Sequence, residues 1–300
     1  MKQIFKTTVL LAALTGLFLA IGYMVGGQGG MILALLFAAL FNFGTYWFSS
    51  SLVLKMQGAK PLEEGHPAYH KIETMVRELS SADGLPMPKL YYVDTPIPNA
   101  FATGRNPKHA VVAVTSGILD ILDNAELKAV LGHELGHVKN RDMLVSTVAA
   151  TVAGAISSIA QMLMFSSMFG GNDEDQPNPL AAIAIMLLAP IAASLIQLAV
   201  SRSREYLADQ HGAGLVGGGK DLASALQKLE DFKGHMPAIQ PSPADQSTAH
   251  LMFANMFSMQ GLAGLFSTHP STADRIAKLN EFDERQTAHG VASGPILERR

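Results

Sequence analysis

The sequence predicts an α+β protein that is mainly helical, with about four transmembrane helices and a cytosolic part that contains a small β-sheet. Only 16% of the residues are charged, whereas a typical globular domain has roughly 25%. The deficit is concentrated in long uncharged stretches. Because a helix needs about 20 apolar residues to cross the hydrocarbon core, these stretches have room for four crossings. Polar segments with strand-like patterns lie between them.

This alternation divides the chain into five segments. We expect an N-terminal transmembrane hairpin, a cytosolic segment, a second transmembrane hairpin, a second cytosolic segment and a loose tail. Their respective bounds are residues 1–54, 55–142, 143–201, 202–285 and 286–300.

The first hairpin consists of two apolar runs that we expect to be joined by a loop at "GQGG". Tyr46 and Trp47, near the end of the second run, are typical of the membrane interface. The two loops between paired runs, "GGQGG" and "GGNDEDQPNP", contain no Lys or Arg, whereas the polar flanks of all four runs do. The positive-inside rule therefore places both termini and both polar segments in the cytoplasm.

The first polar segment combines helices with short strands. "HPAYHKIETMVRELSSADG" has the pattern of an amphipathic helix closed by Gly84. "PKLYYVD" and "HAVVAVTSGIL" are aromatic and β-branched, as strands are. A further helix begins at Asp123, which forms a capping-box pattern with Glu126.

The motif "HELGH" lies on that further helix. His133 and His137 are four residues apart, so a helix presents both imidazoles on one face to a single ion. Glu134 lies about 100° around the helix from His133, where its carboxylate can reach a water without binding the ion. Two histidines and a glutamate in this order are the arrangement of a metalloprotease, in which the glutamate is the general base.

A catalytic zinc ion needs a third protein ligand and an open position. The candidates that we considered are Asp142, Glu205, Asp209, His211 and His269. Asp142 lies too far along the helix from His133, whereas "SRSREYLAD" places Glu205 and Asp209 on one helical face. Two apolar runs separate His137 from Glu205, so Glu205 returns to the same side of the membrane. We therefore expect Glu205 to bind the metal and Asp209 to orient a ligand imidazole. If the histidine helix continues into the third apolar run, the ion lies close to the bilayer.

Composition excludes several kinds of site and partner. The chain has no cysteine, so thiolate ligands, cysteine nucleophiles and disulfides are excluded. The net charge is −3 without a long basic block, so we expect no nucleic-acid partner. Two imidazoles and a carboxylate favour one Zn²⁺ per chain.

"HELGHVKNRD", two apolar runs and "SRSREYLAD" together resemble the HtpX-type membrane zinc metalloproteases of bacteria, which are relatives of the CAAX prenyl proteases. "NAFATG" and "FSTHPSTADRI" extend the resemblance over most of the chain. It implies a cytosolic zincin-like (gluzincin) catalytic domain that degrades misfolded membrane proteins and is prone to self-cleavage. On matching positions, His133, His137 and Glu205 are the ligands and Glu134 is the base.

The resemblance implies two further roles. Asn99, Ala100 and Phe101 match a segment that forms an edge strand for binding of an extended substrate. His269 matches a residue near the site and is a candidate for oxyanion stabilisation. Polypeptides and the lipid bilayer are thus the expected partners. Two alternatives stay open: a specific processing protease of the prenyl type, disfavoured by only four spans, and a non-enzymatic membrane scaffold with a structural metal.

Overall fold

The computed structural model describes residues 2–141, 144, 148, 202–235 and 270–288. Apart from residues 144 and 148, the second hairpin of residues 143–201 lies outside the described residues, and so do His269 and the end of the tail. The described part is a mainly helical α+β structure with one four-stranded sheet, as predicted.

Helix α1 spans Lys2–Met56. The prediction of a loop at "GQGG" is wrong, because these residues are part of helix α1. Gly27 departs from helical backbone angles there, with φ of 57°. A glycine adopts this left-handed conformation without steric cost, so one residue interrupts the right-handed dihedral angles while its neighbours stay helical. Within the described residues, one segment, Gly27–Phe48, is long and apolar enough to cross a membrane. The number of crossings in this region therefore stays a prediction.

The sheet follows α1. Strand β1 spans Lys60–Pro61, β2 Lys89–Val93, β3 Ala100–Gly104 and β4 Ala110–Thr115. The strand order is β1-β2-β4-β3; β2 and β4 are parallel, and the other two pairs are antiparallel. Strand β3, which contains most of "NAFATG", is therefore an edge strand. A single 3₁₀ turn at Pro107–His109 joins it to β4.

Helix α2 spans Tyr69–Asp83 and α3 spans Ser116–Ile121. The end of α2 is the predicted one: Gly84 has φ of 68°, and its N–H donates to the carbonyls of Ser80 and Ser81. Left-handed glycine is a common helix terminator. The apolar stripe Ile72, Val76 and Leu79 is buried in the main core.

Helix α4 spans Asn124–Asn140 and carries the histidine motif. The predicted capping box is present: the Asp123 side chain accepts from the N–H of Ala125 and Glu126, and Glu126 accepts from Asp123 N–H. The helix does not continue unbroken toward the third apolar run, because Arg141 has φ of 57° and its N–H donates to His137 and Val138 carbonyls. That left-handed residue ends the helix one position after Asn140.

Three helices complete the described structure: α5 at Arg202–Val216, α6 at Lys220–His235 and α7 at Thr272–Ala288. Helix α7 includes the first three residues of the expected tail, which begins at Gln286. Helices α2, α4, α5, α6 and α7 and one face of the sheet share the main hydrophobic core. A second core lies on the other face of the sheet, where the end of α1 packs through Val53 and Leu54 against Phe101 and Val111.

Candidate metal centre and active site

Helices α4 and α5 approach each other through residues with little or no side chain. A Cβ atom on Gly132 would lie 3.3 Å from Gly212 Cα, and one on Gly136 would lie 3.2 Å from Ala208 Cα. Contacts this close mean that the two backbones meet directly. Because the small residues alternate with His133, His137, Glu205 and Asp209 along the two helices, this contact brings the polar side chains together.

The three expected ligands converge between these helices. His133 Nε2 and His137 Nε2 are 3.1 Å apart, and the Glu205 carboxylate lies 3.6 Å from His137 Nε2 and 3.9 Å from His133 Nε2. One ligand atom from each of the three residues lies within 4.8 Å of the others. Ligands about 2.1 Å from a tetrahedral zinc ion are separated by about 3.4 Å. The donor set and its spacing thus fit zinc, with only the His133–Glu205 distance slightly wide.

Asp209 and Arg275 support His133 from behind. The Asp209 carboxylate lies 2.9 Å from His133 Nδ1. Arg275, from α7, donates to both oxygens of Asp209, at 2.8 Å from Nε and 2.6 Å from Nη2. Asp209 and Arg275 are each only 2% exposed. An acceptor at Nδ1 keeps the proton on that nitrogen and leaves Nε2 free to bind a metal, which is how such carboxylates fix the tautomer of a ligand.

The pKa values agree with these roles. Burial alone would raise the pKa of Asp209, but the charge and hydrogen bonds of Arg275, with the hydrogen bond of His133, hold it below its ordinary value. Burial lowers the pKa of His133, although Asp209 opposes the shift. The carboxylate is therefore ionised and the imidazole neutral, and these are the forms that orient and bind a metal ion.

Glu134 follows His133 on α4 and is 4% exposed. Its Oε2 accepts a hydrogen bond of 2.8 Å from the N–H of Ala102 in β3. Burial raises the pKa of Glu134 to about 8, with Glu205 acting in the same direction. A group with a pKa near neutrality can both accept and return a proton, which is the property a general base requires.

The register of β3 determines which backbone groups face the site. The Asn99 carbonyl accepts from Thr115 N–H in β4, so Asn99 and Phe101 direct their backbone groups toward β4. Ala100 and Ala102 alternate with them and direct theirs to the other side of β3, which pairs with no strand among the described residues and where Ala102 meets Glu134. The side chain of Phe101 is 2% exposed and lies in the second core.

Residues 68–283 match the family model described as Peptidase family M48. This chain is a member of peptidase family M48. It is 52% identical over 285 residues to a "Protease HtpX homolog" of Ralstonia nicotianae, a match that covers 94% of this chain and 97% of the relative. It is 51% identical over 280 residues to the protein of the same name in Burkholderia multivorans, covering 92% and 96%. The predicted family is confirmed, and the protein is a metalloprotease.

Among solved structures, the chain is similar to the crystal structure of S. mikatae Ste24p, with a TM-score of 0.49 and 17% sequence identity. The match covers 93% of this chain and 65% of that chain.

The structure brings His133, His137 and Glu205 of this M48 peptidase together, with Asp209 at His133. Glu134 lies on the same helix as the two histidines. The roles assigned to these residues stay predictions. Ala100 lies on the edge strand β3 with its backbone groups directed away from β4, whereas Asn99 and Phe101 direct theirs toward β4. His269 lies outside the described residues, so its role stays a prediction.

Sequence reasoning missed Arg275. A signal was available: Arg275 occupies the apolar stripe of α7, four residues before the buried Leu279. A cation at a core position of an amphipathic helix requires a buried anion. Asp209 is that anion.

Proposed function

We propose that this protein is a zinc-dependent endopeptidase of the bacterial cytoplasmic membrane that cleaves misfolded or membrane-associated polypeptides on the cytosolic side. The observation that carries the proposal is the convergence of His133, His137 and Glu205, with Glu134 on the helix that carries both histidines. Among the residues that the structure describes, three protein ligands converge; three are typical of a catalytic zinc site, whereas a structural zinc site uses four. The membership of family M48 agrees with this arrangement.

Each residue of the site has a separate task. A bound zinc ion would supply Lewis-acid chemistry toward a water molecule and a peptide carbonyl. Glu134 would take a proton from that water and return one to the departing amine, which its raised pKa allows. Asp209 would keep the ring of His133 oriented throughout.

The open edge of β3 is the proposed binding site for the polypeptide. An extended peptide that adds to an edge strand is held mainly by backbone hydrogen bonds, so its sequence matters little. Ala100 offers its backbone groups there, and Ala102 its carbonyl, while the Ala102 N–H donates to Glu134 until a peptide displaces that carboxylate. Weak dependence on sequence suits an enzyme that removes misfolded proteins of many kinds.

The membrane location is supported by the span Gly27–Phe48 and by its side chains. Leu33, Leu40 and Phe48 are 69%, 73% and 63% exposed, a pattern that suits lipid better than water. Lys55 follows the span, which by the positive-inside rule supports a cytoplasmic location of the sheet and the site. Because the chain has no cysteine, a single Cys at the exposed Glu64 tests the side: an impermeant maleimide should label it only after the inner membrane is opened. Labelling of intact spheroplasts from outside would contradict the cytosolic location.

The activity is tested by casein cleavage with purified protein kept metal-free until zinc is added. We expect Glu134→Gln to retain one zinc ion per chain and to lose cleavage, because only the base is removed. Glu205→Ala should lose both. Glu78→Gln is the matched control, since Glu78 is an exposed glutamate that pairs with Lys128 on the surface. Full cleavage by the Glu134 variant, with zinc present, would remove the proposed mechanism and favour a structural metal.

A further inference from the structure

Strand β3 and the end of helix α1 run side by side. Phe101 shares the second core with Val53 and Leu54, and the Arg105 guanidinium lies 4.1 Å from the centre of the Trp47 ring. On α1, Trp47 lies six and seven residues before Val53 and Leu54, which is about 10 Å along the helix axis. On the strand, Phe101 and Arg105 are four positions apart, which is about 13 Å. These lengths agree, so β3 runs along α1 toward its N-terminus and ends level with Trp47.

Trp47 lies at the end of the apolar span Gly27–Phe48, one residue before its last position. Tryptophan prefers the interface between lipid tails and headgroups. The contact with Arg105 therefore brings the turn between β3 and β4 to the membrane surface. Lys55 and the rest of the sheet lie farther along α1, on the aqueous side.

The turn, Arg105–His109, has a fixed shape and a positive charge. Gly104 contacts its end so closely that a Cβ would lie 2.4 Å from the His109 carbonyl oxygen. The His109 backbone and ring lie 2.9 and 2.8 Å from the carbonyl and side-chain oxygens of Asn106. Lys108 and His109 are exposed. The turn contains two permanent cations and no acidic residue.

We propose that the turn Arg105–His109, together with Trp47, binds anionic phospholipid headgroups. The proposal rests on the membrane location given under the proposed function. A guanidinium and an ammonium group donate charge-assisted hydrogen bonds to phosphate oxygens, and each basic side chain at an anionic surface favours binding by about fivefold. The contact anchors one end of β3 at the bilayer. A peptide that pairs with β3 then runs along α1, from the membrane surface toward Glu134.

Trp47 is the only tryptophan in the chain, so its fluorescence reports on this site alone. The full-length protein is placed in lipid nanodiscs in which a fraction of either phosphatidylglycerol or phosphatidylcholine carries brominated tails, which quench tryptophan on contact. In the wild type we expect brominated phosphatidylglycerol to be enriched near Trp47 by at least about fivefold over brominated phosphatidylcholine at equal content. The double variant Arg105→Gln, Lys108→Gln should show nearly equal quenching by the two lipids.

Three comparisons make the test specific. Arg77→Gln removes a cation from an exposed position on α2 and should keep the preference, as should Arg105→Lys with Lys108→Arg, which retains both charges. Inorganic phosphate added to neutral discs should leave the Trp47 signal unchanged. Any of three results would overturn the proposal. The first is equal quenching by the two lipids in the wild type, and the second is a preserved preference for phosphatidylglycerol in the double glutamine variant. The third is a change of the Trp47 signal with free phosphate that is as large as the change with phosphatidylglycerol.

Casein cleavage is measured in the same discs. The double glutamine variant should cleave casein as the wild type does, because a soluble substrate does not need the membrane contact, and this result also verifies its fold. A wild type that shows the lipid preference without zinc-dependent cleavage would refute the proposed peptidase activity and leave the lipid site standing.

Discussion

The buried pair of Asp209 and Arg275 provides a test that separates stability from metal binding. Asp209→Asn keeps the size of the side chain but deprives the Arg275 guanidinium of its bidentate carboxylate. Removal of one partner from a buried ion pair costs about 3–5 kcal/mol in free energy of unfolding. For a domain of this size, that loss lowers the melting temperature by about 10 °C. The same variant weakens the acceptor at His133 Nδ1, so zinc affinity should fall by about 10–100-fold.

Arg275→Met should behave differently. It leaves the Asp209 carboxylate buried without its strongest counter-charge, so the stability loss should be similar. The carboxylate still lies 2.9 Å from His133 Nδ1, so zinc affinity should fall much less than in Asp209→Asn. The double variant, Asp209→Asn with Arg275→Met, has neither charge of the buried pair. It should recover most of the lost stability while zinc affinity stays as low as in Asp209→Asn.

Melting is followed by circular dichroism of the metal-free protein in detergent micelles, and zinc affinity by competition with a fluorescent chelator. The double-mutant cycle gives the coupling between the two residues directly. Losses of stability that simply add in the double variant would refute the ion-pair argument. Zinc affinity that is unchanged in Asp209→Asn would refute the role assigned to Asp209 at His133.

Two further predictions concern helix packing and pH. Gly212→Ala should destabilise the protein by about 1–3 kcal/mol and weaken zinc binding, because the new Cβ would lie 2.7 Å from the main chain of α4. The control is Gly234→Ala, whose Cβ would have nothing within 4 Å. It should be neutral or slightly stabilising in the same melting assay. A loss of equal size in both variants would contradict the close helix contact. Asp83→Asn should lower the melting temperature at pH 7, because the Asp83 carboxylate is stabilised in the folded protein. Burial would raise the pKa of Asp83, but hydrogen bonds from His211 and Lys139 hold it below 3.8. A carboxylate whose pKa is lowered on folding stabilises above its ordinary pKa, and this contribution is lost as pH falls through the lower folded value. The melting difference should therefore shrink as the pH falls below 3.8; a difference that persists down to the lowest pH at which both proteins are folded would contradict it.

Local patterns predicted much of this site because helical periodicity determines most of it. The capping box fixes where α4 begins, and a spacing of four residues then places His133 and His137 on one face. The same spacing pairs Glu205 with Asp209 on α5. The meeting of the two helices was inferred only from the even number of apolar runs between them. The small residues at Gly132 and Gly212 that bring the backbones together were visible in the sequence but were not interpreted.

The features that were missed depend on tertiary structure or on unusual backbone angles. Arg275 reaches Asp209 from 66 positions along the chain, and no local pattern connects them. Arg141 ends α4 with a positive φ, a conformation that residue type predicts well for glycine and poorly for arginine. At "GQGG", low helix propensity predicted a loop, whereas the structure departs from helical dihedral angles at Gly27.

The hydrogen bond between Ala102 and Glu134 also bears on the solubility of the catalytic region. A bare sheet edge is a template on which other chains can assemble into aggregates. Here one of the outward N–H groups is already satisfied at 2.8 Å by a carboxylate of the same molecule. An incoming chain must displace that carboxylate to form a complete ladder, and it then lies beside Glu134, the proposed general base. The edge strand can therefore bind a substrate chain that displaces Glu134, but it is a poor template for the assembly of aggregates.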